Sequence, residues 1–230
     1  MNILAIDTSN LPLSIAVIDE NKVLGELATN VEKNHSIRLM PLLKTLLNEV
    51  QISPQELDLI AVARGPGSYT GVRIGVTTAK SMAWALKKPL IGVSSLMGLA
   101  HQIPFFDGLI FPLFDARRER VYTGGYAWKQ GELVEVIPEQ ILHIADLANK
   151  IKEQDRKALF IGDDVSKHRA SFIDLIGERA EFLPNVYHLP RAAHIAQIGL
   201  RLYQQGKEEN LGFAPSYLQV AEAEARLMGE

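Results

Sequence analysis

The chain of 230 residues has no cysteine. That absence excludes a disulfide framework, a thiolate zinc site, an iron–sulfur cluster and a cysteine nucleophile, and it fits a reducing compartment, so a cytoplasmic location is expected. Long apolar runs are missing too: nothing approaches the roughly 18 uninterrupted apolar residues of a membrane span. The opening Met1-Asn2-Ile3-Leu4-Ala5-Ile6-Asp7 reaches a carboxylate without any basic stretch before it, so no signal peptide is expected. Concentrated positive charge is scarce. With 24 Lys+Arg against 27 Asp+Glu the formal net charge is −3, and the densest basic cluster, Arg117-Arg118-Glu119-Arg120, is short and interrupted. Phosphate-driven binding of nucleic acid by this chain alone should be weak. What is present, 47% hydrophobic and 22% charged residues, is the composition of a folded chain able to bury a core. The length suits one large domain or two of roughly 100 residues.

The apolar pattern organises the chain. Ile3 to Ile6 is short, apolar and partly β-branched, as a fully buried strand should be, and Ser9-Asn10-Leu11-Pro12 supplies a turn. Leu13 to Ile18 and Val23 to Thr29 follow as strands across the loop Asp19-Glu20-Asn21-Lys22. Asn34 or Ser36 can cap a helix running to about Val50, and Leu57 to Ala63 returns as a strand. After Gly65-Pro66-Gly67 a second helix is expected from about Thr70 to Leu86, then a strand from Pro89 to Val93. Near Phe105 the pattern restarts. Strands are expected at Leu109 to Phe114, Val121 to Trp128 and Glu132 to Ile137, then a helix at Ile144 to Glu153 and a strand at Ala158 to Ile161. The first strand of each set ends at an aspartate, Asp7 and Asp115, which points to an ancient duplication. Helices at Val165 to Ile176 and Arg191 to Gln205 and an Ala/Glu-rich tail from Ala221, expected to fray, close the chain.

The expected fold is therefore α/β, with two βββαβα-type halves of the kind found in the actin, Hsp70 and hexokinase ATPases. Residues 1–105 would form the first half and residues 106–230 the second, with its helical tail. In that superfamily phosphates lie between the halves against glycine-rich hairpins, beside strand-end aspartates that hold a metal. Here the first hairpin, Asp7-Thr8-Ser9-Asn10, has no glycine to let backbone approach a phosphate, and neither has Asp115-Ala116-Arg117-Arg118. Where an adenosine-binding loop would bring paired glycines the chain reads Gly162-Asp163-Asp164, with carboxylates that would oppose a polyanion. Asp7, Thr8, Ser9 and Asp115 thus mark a vestigial nucleotide cleft. The alternative is a phosphotransferase using Asp7 and Asp115 with Mg-ATP.

Other chemistry fails on spacing. Gly65-Pro66-Gly67-Ser68-Tyr69-Thr70-Gly71 leads into Val72-Arg73 where a phosphate loop needs Lys and Ser or Thr, and Thr70 breaks the dinucleotide fingerprint. Gly92-Val93-Ser94-Ser95-Leu96 nearly spells a nucleophile elbow, but Leu96 would obstruct the sharp turn. None of the six histidines, His35, His101, His143, His168, His188 and His194, pairs with another at i, i+3 or i, i+4, so no metal site is expected.

Two helices stand out instead. On a helical wheel Ile37, Leu39, Met40, Leu42, Leu43, Leu46, Leu47 and Val50 spread over roughly 220°, well beyond the stripe of about 100° that covers one core. The second helix carries Gly71 and Gly75 one turn apart, then Thr78 or Ala79, a ridge on which another helix could lie close. One reading sandwiches these helices inside their own domain; the other makes the surplus apolar face a protein-binding site.

Ile3-Leu4-Ala5-Ile6-Asp7-Thr8-Ser9, His35-Ser36-Ile37-Arg38-Leu39-Met40-Pro41-Leu42, the run Gly65 to Gly75, Ala79-Lys80 and Pro89 to Leu96 together resemble the bacterial TsaB (YeaZ) family of tRNA threonylcarbamoyladenosine biosynthesis. The likeness is dense to about residue 100 and sparse beyond, apart from Pro215-Ser216-Tyr217-Leu218. It implies a non-catalytic paralogue of TsaD, the subunit that transfers threonylcarbamoyl to an adenosine beside the tRNA anticodon. TsaD-like chains carry Val-Asn-His-Leu-Glu-Gly-His where this chain reads Val93-Ser94-Ser95-Leu96-Met97-Gly98-Leu99, so both ligand histidines are replaced, by Ser95 and Leu99. The resemblance also implies a TsaD contact on the first two helices, with Ile37, Met40, Leu43, Leu47, Gly71, Ile74, Gly75, Thr78 and Met82 as interface candidates. TsaE would complete the complex, ATP and metal would belong to partner subunits, and tRNA would be met indirectly. Without its partner the apolar face could pair with itself in a homodimer. A peptidase, suggested by the glycoprotease-like name of relatives, lacks a metal pair and a serine constellation in this sequence.

Overall fold

A computed structural model describes residues 1–210 and 212–218. The tail expected from Ala221 lies outside the described residues. The first half contains β1 (Ile3–Asp7), β2 (Leu13–Ile18), β3 (Val23–Thr29), α1 (His35–Glu49), β4 (Leu59–Ala63), α2 (Tyr69–Leu86), β5 (Leu90–Val93) and α3 (Ser95–Ala100). Its sheet runs β3-β2-β1-β4-β5, antiparallel from β3 to β1 and parallel from β1 to β5. The second half contains β6 (Leu109–Pro112), β7 (Phe114–Asp115), β8 (Arg120–Lys129), β9 (Glu132–His143), α4 (Ile144–Glu153), β10 (Ala158–Ile161), α5 (Val165–Ile176), β11 (Ala180–Phe182) and α6 (Ala192–Gln204). Its sheet repeats the order and directions: β9, β8 and β6 are antiparallel neighbours, and β6, β10 and β11 are parallel ones. The duplicated α/β architecture read from the two strand-end aspartates is the architecture of the chain.

Burial on both faces explains the continuous apolar strands. In β1, Leu4 and Ile6 face the core under α1 and α2, while Ile3 and Ala5 face Ala192, Ile195 and Ala196 of α6 on the other side. Helix α6 departs from the expected division of the chain: drawn from the second stretch, it covers the first sheet. Its Gly199 fits closely over Ala61 of β4, and its start is fixed by Glu26 of β3, which accepts from Ala193 N and pairs with Arg191. The short α3 fills the seam between the halves, with Leu96, Leu99 and Ala100 packed on Ile110, Tyr126 and Leu159. Strand β9 outruns the expected end at Ile137 because it is an edge strand, where Pro138 removes no ladder bond that another strand needs.

Candidate functional site

Helix α1 begins where Asn34 caps Ser36 N at 3.1 Å, and its apolar residues divide into two sets. Leu39, Leu43, Leu46 and Leu47 are buried under the first sheet. Ile37 and Met40 are 70% and 54% exposed, which is unusual for side chains of that size. Between α1, α2 and the turn at Pro54 lies an apolar groove of about 670 Å³, lined by Met40, Leu43, Leu47, Ile52 and Met82, with Lys44, Asn48 and Gln51 also along it. Ile74 and Thr78, half-buried on α2, complete the set of outward candidates.

Gly71 and Gly75 are a correction. They are buried and face inward, so they offer no ridge to a second protein. A Cβ on Gly71 would fall inside contact distance of Thr8 O, and one on Gly75 inside that of Thr8 Oγ1. The two glycines let α2 lie directly on the end of β1. Leu43 and Leu47 are likewise core residues first, and reach the groove only as its floor.

The same packing consumes the first hairpin. Thr8 Oγ1 donates to Gly71 O at 2.7 Å, Ser9 N donates to Asp7 Oδ1 at 2.9 Å, and Ser9 O accepts from Ser68 N at 2.7 Å. Asp7, Thr8 and Ser9 are each less than 5% exposed. Burial pushes the Asp7 carboxyl above its ordinary value, against the lowering effect of the Ser9 N–H and hydroxyl and of His35. A phosphate needs free donors and room; the Thr8 hydroxyl is given to Gly71 O, the Ser9 N–H to Asp7, and α2 lies against Thr8, so these residues do not fit a phosphate.

In the second half Asp115 is not buried away but paired. Lys167 Nζ donates to its Oδ2 at 3.1 Å and to Asp164 Oδ1 at 2.7 Å. Desolvation acts to raise the Asp115 pKa, but the Arg117 N–H and Lys167 outweigh it and hold the carboxyl below its usual range. Among the described residues no three His, Asp or Glu side chains gather to hold a metal ion.

Several contacts join residues far apart in the chain, beyond the reach of a spacing argument. Ser94, in the near-elbow, accepts from Met97 N as the N-cap of α3 and donates to Glu139, which also accepts from Tyr126 OH at 2.5 Å. Ser95 Oγ accepts from Gly65 N at 3.1 Å. Ser94 therefore bridges the seam between the halves, while Ser95 ties α3 to the loop after β4 within the first half. His101 and His194, unpaired by helical spacing, meet with their Nδ1 atoms 2.9 Å apart, so one ring donates and the other accepts. Burial lowers both pKa values, with Arg201 adding to the effect on His101 and His101 and Arg191 on His194, which falls to about 4. Tyr217 reaches back to α2, where its hydroxyl accepts from Arg73 Nε at 2.8 Å. The resemblance at Pro215 to Leu218 is the only sequence signal that singled out that region.

A protein of Bacillus subtilis (strain 168), the tRNA threonylcarbamoyladenosine biosynthesis protein TsaB, is 47% identical over 98% of this chain and 97% of its own length. The chain belongs to the TsaB family. The family model for TsaD, tRNA N6-adenosine threonylcarbamoyltransferase, matches residues 21–227 of this TsaB-family chain. The structure of YeaZ from Pseudomonas aeruginosa superposes with a TM-score of 0.81 at 27% identity, covering 94% of this chain and 99% of that one. ROK hexokinase from Thermus thermophilus superposes with a TM-score of 0.54 at 10% identity over 90% of this chain and all of that one, a likeness of fold alone. For this TsaB-family chain the actin-like fold is thus shared with a kinase, while its first hairpin is packed against its own α2 and the loop before it.

Proposed function

We propose that this chain is a non-catalytic subunit in the biosynthesis of tRNA threonylcarbamoyladenosine, and that it acts by docking on a TsaD homologue through the groove between α1 and α2. The observation that carries the reading is that groove of about 670 Å³, with Ile37 and Met40 left exposed beside a floor of Leu43, Leu47 and Met82. An apolar helical pair of this kind suits an amphipathic helix of a partner. Names of the relatives supply the process, and the TsaD family model matching the chain supports a TsaD homologue as a structural sibling. A TsaE homologue then joins the complex, ATP and metal are bound by the partners, and tRNA is met through them, in the cytoplasm. No helix among the described residues is long and apolar enough to cross a membrane.

Met40 is the test residue, because its side chain is outside the core and its loss leaves no cavity. Met40→Asp should weaken binding of a TsaD homologue at least tenfold, about 1.4 kcal/mol, in titration calorimetry while the urea midpoint of the isolated chain stays unchanged. Unchanged affinity sinks the assignment of the groove. If the isolated chain is a homodimer through the same face, the variant is monomeric by mass measurement. A phosphotransferase would instead show ATP binding by the isolated chain at micromolar concentrations.

A further inference from the structure

Helix α5 starts against the usual preferences. Asp164 stands at its N-cap, yet its side chain caps no helix N–H. Lys167, in the first turn, sets a positive charge near the positive end of the helix dipole, where cations are disfavoured. Local rules broken together in this way usually serve another purpose. All four carboxylate oxygens of Asp115 and Asp164 are engaged. Asp115 Oδ1 accepts from Arg117 N at 2.8 Å and Asp164 Oδ2 accepts from Asp115 N at 2.9 Å, which aims the two remaining oxygens at one point. Lys167 Nζ occupies that point, 3.1 Å from Asp115 Oδ2 and 2.7 Å from Asp164 Oδ1.

We propose that Lys167 is a resident cation: its ammonium stands between Asp115 and Asp164 beside the strand end where nucleotide-binding members of this fold hold a divalent metal, and it keeps such metals out of this chain. The distances suit an ammonium, since oxygen ligands lie at about 2.0–2.1 Å from Mg²⁺ and about 2.3–2.6 Å from Ca²⁺. Its hydrogen bonds to Asp164 and Asp115 raise the lysine's pKa despite desolvation, so the charge is permanent at neutral pH. The side chain is half-exposed and displaces metal by competition rather than by walling off the site. The inference does not depend on the docking reading: it concerns the opposite half, and it stands or falls without a partner protein.

The test is titration of the full chain with Mn²⁺ alone, followed by the paramagnetic resonance signal of the free ion. Lys167→Met and Lys167→Gln should each gain one site at least tenfold tighter than anything in the unaltered chain, and Lys167→Met with Asp164→Asn should lose it again. Lys167→Arg should behave as the unaltered chain. Either folded lysine variant gaining no site overturns the proposal, and the second variant decides if the first fails to fold. So does an unaltered chain that binds Mn²⁺ as tightly as the variants, at a site that Asp164→Asn removes.

Discussion

Asp7 ends β1 and Asp115 ends β7, the short strand that follows β6, the counterpart of β1, and the surroundings of the two aspartates differ in kind. Around Asp7 the chain has closed mechanically: two glycines bring α2 against Thr8, Thr8 Oγ1 and Ser9 O bond the loop from Gly65 to Gly71, and Ser9 N bonds Asp7. Around Asp115 it has closed electrostatically, with the ammonium of a half-exposed lysine. The strand-end aspartate is thus locked under α2 in one half and held in an ion pair in the other. A steric closure resists any change in shape, whereas an ion pair at the surface can be dissolved at little cost to the fold.

The largest effect belongs to the steric closure. Gly75→Leu forces a side chain into Thr8, with Val62 and Ile6 behind it, and no flexible neighbour can give way. Overpacking of this kind should cost about 3 kcal/mol, read as a lower urea midpoint with an unchanged slope. Partner binding would fall with it only as far as the fold falls. A variant that is fully stable but no longer docks would reverse the correction above and return Gly75 to the interface.

That correction marks the limit of the sequence. Buried strands were legible because short β-branched runs bounded by turn residues have few other readings, and the repeat was legible because each set begins with a strand ending in aspartate. Helix α3 was absent from the expected order, since Ser95–Ala100 is too short to show a period and packs on both halves. The surplus apolar arc of α1 was legible as an arc, but which residues point outward depends on where the sheet lies beneath it. Small residues on α2 signalled close approach without saying to what; only the position of Thr8 decides that they face inward. The links from Lys167 to Asp115, from Glu139 to Ser94 and from His101 to His194 were invisible for a simpler reason: the partners stand 52, 45 and 93 residues apart in the chain.

Next in size is a pH effect that divides the halves. His101, the C-cap of α3, and His194 on α6 both titrate below the ordinary histidine value of 6.5, chiefly because of burial. As pH falls from neutral the unfolded chain therefore takes up protons first, and stability drops from about pH 6.5 down to about 4, where His194 itself titrates in the folded chain. With a folded value near 4, His194 alone should cost about 2 kcal/mol at pH 5 relative to pH 7, and His101 acts in the same direction. His188 shifts the same way, again through burial. Asp115 acts in a lower window: its folded pKa lies below 3.8, so its contribution is present above that value and is lost as pH falls further. Urea midpoints at pH 7 and pH 5 measure the first window, and His194→Gln should flatten the difference. Equal midpoints at the two pH values would show that the imidazole contact carries no weight.

The finest comparison sets the two aspartates side by side. Asp7 has a folded pKa above 3.8, so the folded chain binds the proton more tightly, and at neutral pH its buried charge is a burden on the fold. Asp7→Asn keeps an oxygen to accept from Ser9 N while removing that charge, and should raise stability at pH 7 by about 1 kcal/mol. Asp115→Asn removes a charge that Lys167 and the Arg117 N–H favour, and should lower stability, by less than about 1 kcal/mol because the pair is partly in solvent. The same substitution at the two strand-end aspartates is thus expected to differ in sign. Urea denaturation of both variants at pH 7 measures them, and shifts of the same sign would mean that the two closures share one mechanism after all.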